Sequence, residues 1–269
     1  KNVVSSTHMF GNTFDLLNRS LRKFGVGLHT TDLTDIKKVE QAVDDNTCCI
    51  FVEIITNPQM EVADLQALAR VAHAHKIPLV ADTTTIPFTM FSAKDLGVDI
   101  EVVSSTKYIS GGATSLGGLI IDYGTEYTKG FTPTIKSELL FNFGAYMTPQ
   151  AAFLQTMGLE TLDARYRVQS ANALALAKKL QTLKPVKFVN YVGLEDNKFY
   201  ELAQKQFGKT AGAMVSMDLE SQEACFNFLN RLKLVHRATN LFDNRTLAIH
   251  PYSTIFGNFT PEEKAKMDV

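Results

Sequence analysis

Two short runs constrain this chain more than anything else in it. Thr47–Ile54 (TCCIFVEI) and Ile77–Thr83 (IPLVADT) are apolar almost without interruption, and each carries an acid near its carboxyl end. A strand with one wet face alternates polar and apolar residues, whereas a strand covered on both faces does not. Such runs therefore call for a mainly parallel sheet with helices above and below it. Further β-rich runs fall at Asn2–Ser6, Gly25–Thr30, Ile100–Tyr108 and Leu116–Asp122. Helical spacing fills the intervals. Thr13–Phe24 places Phe14, Leu17 and Leu21 on one face, and Thr34–Val43 begins at a Thr cap. Val62–His75 repeats Val62, Leu65, Leu68, Ala69 and Ala72, and Phe91–Leu96 is a short helix stopped by Gly97. The first half reads as a doubly wound α/β domain.

The second half changes character. Leu154–Leu183 is a long helical stretch stopped by Pro185, and strands follow at Val186–Val192 and Ala211–Leu219, with a helix at Gln222–Leu232. The expected division is a large domain over 1–150, a connecting helix over 151–184 and a smaller α+β domain over 185–269.

Composition narrows the function classes. Lys and Arg number 27 against 28 Asp and Glu, a net charge of −1, which argues against a phosphate-backbone surface and so against nucleic acid. No apolar run approaches the roughly 20 residues that span a bilayer. Cys48, Cys49 and Cys225 form no disulfide framework, which points to a reducing cytoplasm. Cys48 and Cys49 read as small core residues and Cys225 as structural. The six histidines show no metal-ligand spacing, so no metal is expected.

Residues 100–122 (IEVVSSTKYISGGATSLGGLIID) carry the clearest chemistry. An apolar strand delivers Ser104, Ser105, Thr106 and Lys107 to its carboxyl end, where open α/β sheets bind ligands. Partial burial lowers a lysine's pKa and makes its amine a nucleophile toward carbonyls. Ser104 and Thr106 offer hydroxyls to phosphate oxygens, and the glycine pairs 111–112 and 117–118 allow close backbone approach. A lysine snorkelling from a strand end beside turn-forming hydroxyls fits this segment equally well. Residues 77–87 (IPLVADTTTIP) end a second buried strand in Asp82. A strand-end acid needs a cation or donors, and a protonated pyridine nitrogen is one such partner. A plain cap on the next turn is the alternative. Asn57-Pro58, after Glu53, reads alone as a turn.

SSTKYISGG around Lys107, VADTTT around Asp82, FVEIITNPQ around Asn57 and THMFGNTF around Phe10 together resemble one group of enzymes. That group is the Cys/Met-metabolism enzymes dependent on pyridoxal 5'-phosphate, including cystathionine synthases and lyases, methionine lyase and O-acetylhomoserine sulfhydrylase. The resemblance continues through MTPQAAFLQTMGLETLDAR, NYVGLEDNKFYELAQKQF and ATNLFDNRTLAIHPYST, and so covers essentially the whole chain. It implies a fold type I transferase in which Lys107 holds the cofactor and moves substrate protons. Asp82 would pair with the ring nitrogen, supported by Thr84, while Ser104 and Thr106 would contact phosphate. Asn57 would lie near the ring hydroxyl or the substrate carboxylate, and Thr246 near that carboxylate. Phe10 departs from the family, standing where a Tyr usually stacks on the ring. It keeps the stacking and loses the hydroxyl. The stretch after Gly111-Gly112 also departs from the family, without a His often found there. A phosphate-binding loop expected before Lys1 and an Arg expected after Val269 suggest a chain incomplete at both ends, and hence an incomplete cofactor site.

The last two segments look most like the sulfhydrylase branch. The resemblance therefore implies γ-replacement on O-acetylhomoserine by a sulfur nucleophile, yielding homocysteine for methionine biosynthesis. Methionine γ-lyase and cystathionine γ-synthase chemistry are the rivals, and a cofactor-free remnant that only oligomerises is the non-enzymatic one. The resemblance also implies a homo-oligomer, a tetramer of paired dimers, and allows a sulfur-donor partner.

Overall fold

A computed structural model describes residues 1–269. Six strands form one sheet: β1 (Asn2–Ser6), β2 (Gly27–Thr31), β3 (Thr47–Glu53), β4 (Leu79–Asp82), β5 (Ile100–Val103) and β6 (Leu119–Asp122). Their order is β2-β1-β3-β4-β5-β6, with the first five parallel. All six expected runs are strands, and their buried residues, Val4, Ile50, Val52, Leu79 and Ala81 among them, form the sheet's core. Two details differ. β6 runs antiparallel to β5, closing one edge. The run expected to extend to Tyr108 leaves the sheet at Val103, because residues 104–110 coil into the turn that carries Lys107.

The order reverses at β1, with β2 on one side and β3 on the other. Connections from these neighbouring strands leave in opposite directions and open a crevice at the carboxyl ends.

Helix α1 (Ile36–Ala42) is capped by Asp35, whose carboxylate accepts from Lys37 and Lys38. The expected Thr34 cap is corrected: Thr34 instead turns its amide and hydroxyl onto Asp32. Helix α2 (Leu65–Ala74) buries the expected apolar face, Leu65, Leu68, Ala69 and Ala72. It begins three residues later than Val62, because Asp64 caps it and Val62 pairs with Ile55 in a bridge. Residues 11–24 are helical but irregular, passing from an α turn through a π stretch to a 3-10 turn that ends at left-handed Gly25. Of Phe91–Leu96 only Lys94–Leu96 is helical. Gly97 ends it at φ +87°, where a Cβ would also strike Ala69.

The long expected helix is two: α3 (Pro149–Leu159) and α4 (Leu162–Gln181), broken at Glu160–Thr161. Beyond it, β7 (Phe188–Asn190) and β8 (Ser216–Asp218) pair antiparallel, each shorter than its apolar run. Helix α5 (Tyr200–Phe207) between them was not anticipated. Helix α6 (Gln222–Arg231) is capped by Ser221, and β9 (His236–Arg237) pairs in parallel with β10 (Leu247–Ala248). Val189, Tyr191, Leu194 and Phe207 belong to the same apolar cluster as the sheet residues. Cys48 is exposed instead of buried in the core: Thr47 before it is buried, so Cys48 lies on the opposite face of β3, uncovered at that end; Cys49 and Cys225 are half-buried.

Candidate active site

After β5 the chain turns tightly. Lys107 donates its backbone N–H to the Ser104 carbonyl (3.1 Å), and the Ser110 hydroxyl closes on the Thr106 carbonyl (2.7 Å). Thr106 clamps the return strand: its hydroxyl accepts from Gly117 N–H (3.0 Å) and donates to the Gly117 carbonyl (3.2 Å). The turn thereby presents Lys107 with its amine half-buried, and burial pushes the lysine pKa down. That favours the neutral, nucleophilic form.

The Lys107 amine donates to Asn240 Oδ1 at 2.8 Å. Asn240 in turn donates to Asp243 (3.3 Å), and Arg245 clasps Asp243 through Nε and Nη2 at 3.0 and 3.1 Å. Burial pushes Asp243 up, but the hydrogen bonds from Arg245 and Asn240 outweigh it and hold the carboxyl below its usual range. Lys107, Thr106, Ser115, Asn240 and Arg245 help line a cavity of about 590 Å³.

One strand away, Asp82 ends β4 in register with Val102 of β5. Its Oδ1 accepts the Thr84 N–H (2.9 Å), while burial raises its pKa. The Thr84 hydroxyl accepts the Ser104 N–H (2.8 Å), fixing the end of β4 against the end of β5. On the other side Glu53 ends β3 in register with Asp82. Phe10, in the loop after β1, donates its backbone N–H to Glu53 Oε1 at 2.7 Å. Asn57 is buried just beyond β3. Asp82, Thr84, Ser104, Thr106 and Lys107 thus share adjacent strand ends, and Phe10 and Asn57 flank them at the switch point.

Thr246 sits between Arg245 and Leu247, which both line the cavity. It is exposed, does not line the cavity, and its carbonyl accepts the His236 N–H (2.9 Å) beside the β9–β10 pair. Asn240, which sequence reading missed, is the residue that meets Lys107. It lies 133 positions away in an irregular segment, so no spacing announces it. Glu53 was passed over as part of a turn motif. Two strand-end acids on consecutive parallel strands are the signal that could have found it.

These residues fit pyridoxal phosphate on their chemistry. The Asp82 carboxyl is raised because it is buried without a cation, and the Lys107 amine is lowered because it is buried without an anion. A ring bearing a cationic nitrogen and a carbonyl carbon answers both. Covalent amine chemistry on a doubly wound sheet, with an electron-withdrawing ring seated by a carboxylate, is the class that fold and site define.

Comparisons with known proteins agree. A model of the family described as Cys/Met metabolism PLP-dependent enzyme matches residues 1–269. The chain is 33% identical over 270 residues to an O-succinylhomoserine sulfhydrylase of Pseudomonas aeruginosa, covering 99% of itself and 65% of that protein. Among solved structures, one from Campylobacter jejuni with N'-pyridoxyl-lysine-5'-monophosphate superposes with a TM-score of 0.95 at 30% identity, covering 100% of this chain and 71% of that one. The O-acetylhomoserine sulfhydrylase of Wolinella succinogenes gives 0.85 at 41% identity, with 97% and 78% covered. The chain belongs to the Cys/Met metabolism PLP-dependent enzymes, with their fold type I architecture and pyridoxal phosphate as cofactor. It spans about 65% of the length of its Pseudomonas relative.

Proposed function

We propose that the protein catalyses γ-replacement on O-acetylhomoserine with a sulfur nucleophile, forming homocysteine for methionine biosynthesis. The observation that carries the reading is the half-buried Lys107 amine, held by Asn240 one strand from Asp82. The 41% identity to the Wolinella succinogenes sulfhydrylase supports replacement over elimination.

When bound, pyridoxal phosphate supplies the electron sink for carbanion chemistry at the substrate's α-carbon. This chain's residues do the rest. Lys107 Nζ holds the cofactor and then carries protons between the α- and β-carbons. Asp82 anchors the ring nitrogen, and Thr84 braces Asp82 while tying the end of β4 to Ser104. Ser104 contributes its hydroxyl to phosphate. Thr106, engaged with Gly117, holds the Lys107 turn in shape beside that phosphate. Phe10 would stack on the ring but has no hydroxyl to exchange protons, which would leave Lys107 as the proton carrier. Asn57 would face the ring hydroxyl or the substrate carboxylate, Thr246 would lie toward that carboxylate, and Asn240 meets the Lys107 amine. Residues 1–150 form the cofactor domain, 151–184 the connection and 185–269 the small domain. The proposal includes a cytoplasmic homotetramer, the oligomer being what the family resemblance implies.

The test uses the full-length protein with pyridoxal phosphate. Sulfide-dependent homocysteine formation from O-acetylhomoserine is the expected result, faster than from O-succinylhomoserine. Dominant release of 2-oxobutyrate from methionine would replace this reading with a methionine γ-lyase one.

A further inference from the structure

We propose that Glu53 is a positioning residue of the cofactor site, holding the Phe10 loop in place and sharing the strand-end charge with Asp82. The proposal rests on the pyridoxal phosphate reading and not on the choice of substrate.

Glu53 is the last residue of β3, 7% exposed, and lies in register with Asp82 on the neighbouring parallel strand. Paired residues of parallel strands point to the same face, so the two carboxyl groups sit side by side at the switch point. From the β1 side Glu53 receives the Phe10 N–H at 2.7 Å, and from its own strand end the Asn57 N–H. On β4 the ionisable group it meets is Asp82, another acid, and no cationic side chain bears on it. Burial first, and the Asp82 charge second, push Glu53 up to about 8. Val52 and Ile54 point to the opposite face of β3, so the apolar packing they make does not account for an acid at Glu53. An acid at this point serves two ends. Its oxygen satisfies the amide that orients Phe10, and its negative charge becomes tolerable once a cationic ring nitrogen lies opposite Asp82. Cofactor binding therefore lowers the Glu53 pKa, and linkage requires binding to tighten as pH rises toward the cofactor-free value.

Glu53→Gln and Glu53→Ala separate the two roles, with pyridoxal phosphate affinity of the full-length protein read from its absorbance and folding checked by circular dichroism. Gln keeps an oxygen for the Phe10 N–H and removes the charge; Ala removes both. The expected result is that Ala weakens cofactor binding by about 10- to 100-fold, the effect of leaving a buried donor unpaired. Gln is expected to bind within about threefold of wild type at pH 6, and the ratio of its Kd to the wild-type Kd to grow as pH rises to 8. A purely structural glutamate would leave that ratio flat. A flat ratio, or an Ala variant binding as tightly as wild type, overturns the assignment. Because no turnover is measured, a wrong substrate cannot produce either outcome, and failure of wild type to bind pyridoxal phosphate would instead sink the cofactor reading itself.

Discussion

At the scale of single residues the site is a balance of buried charges. Lys107→Ala is expected to abolish the cofactor's lysine-linked visible absorbance and cut turnover at least about a thousandfold, since one group both tethers and carries protons. Asn240 accepts from the protonated amine, so its removal favours the neutral form. Asn240→Ala should move the rising limb of cofactor capture, plotted against pH, down by about one unit, read as capture rate by absorbance. Glu53 gives a stability signature with the opposite pH logic. Its folded pKa of about 8 lies above the ordinary value of 4.5, so its contribution is fully present below about pH 4.5 and is lost as pH rises through 8. In cofactor-free protein the melting temperature of wild type should therefore fall relative to Glu53→Gln between pH 5 and 8.5, by an amount worth at most a few kcal/mol. The placement of Lys107, Asp82, Ser104 and Thr106 at strand ends was legible in sequence because each follows an apolar run, whereas the roles proposed for them come from the family resemblance. Asn240 was not, because a contact across 133 residues leaves no local pattern.

At the scale of elements, the catalytic turn is shaped by what packs on it. Helix α3 ends with Gly158 against the backbone of residues 109–111: a Cβ there would collide with the Ile109 carbonyl and come within 2.9 Å of Gly111 N. Arg165, one turn into α4, reaches back to the Gly158 carbonyl at 2.6 Å and fixes the break between the helices. Gly158→Ala should destabilise the protein by about 2–4 kcal/mol and weaken cofactor binding, both measurable by thermal melts with and without pyridoxal phosphate. In sequence, Gly158 and Thr161 are only weak signals of the break, because one interior glycine is tolerated in a helix and a Thr does not by itself start a new one. Helix α5 escaped notice for a similar reason. At eight residues, Tyr200–Phe207 is too short for its periodicity to stand out, and it folds because Ala203 and Phe207 bury against neighbours.

At the scale of the molecule, residues 139–159 present Phe141, Phe143, Tyr146 and Phe153 to solvent, with Phe141 at 80% exposure. Exposed aromatic side chains close together in sequence are what an interface between copies would cover. The homo-oligomer expected from the family resemblance has its most economical seat there. Phe141→Asp with Phe143→Asp should lower the mass found by light scattering while leaving the secondary structure intact. A wild-type protein that runs as a monomer would remove the basis for the tetramer.

The sequence by itself determined the sheet. Apolar runs call for cover on both faces, so the positions of the strands and the mainly parallel character of the sheet follow from residue order. Tertiary structure decided which distant groups meet: Asn240 at Lys107 and Glu53 beside Asp82. It also set the antiparallel edge and the shortened strand that frees the Lys107 turn. The physical reason is locality. Burial and periodicity are written along the chain, whereas hydrogen bonds and charge pairs between elements depend on register, which only packing fixes.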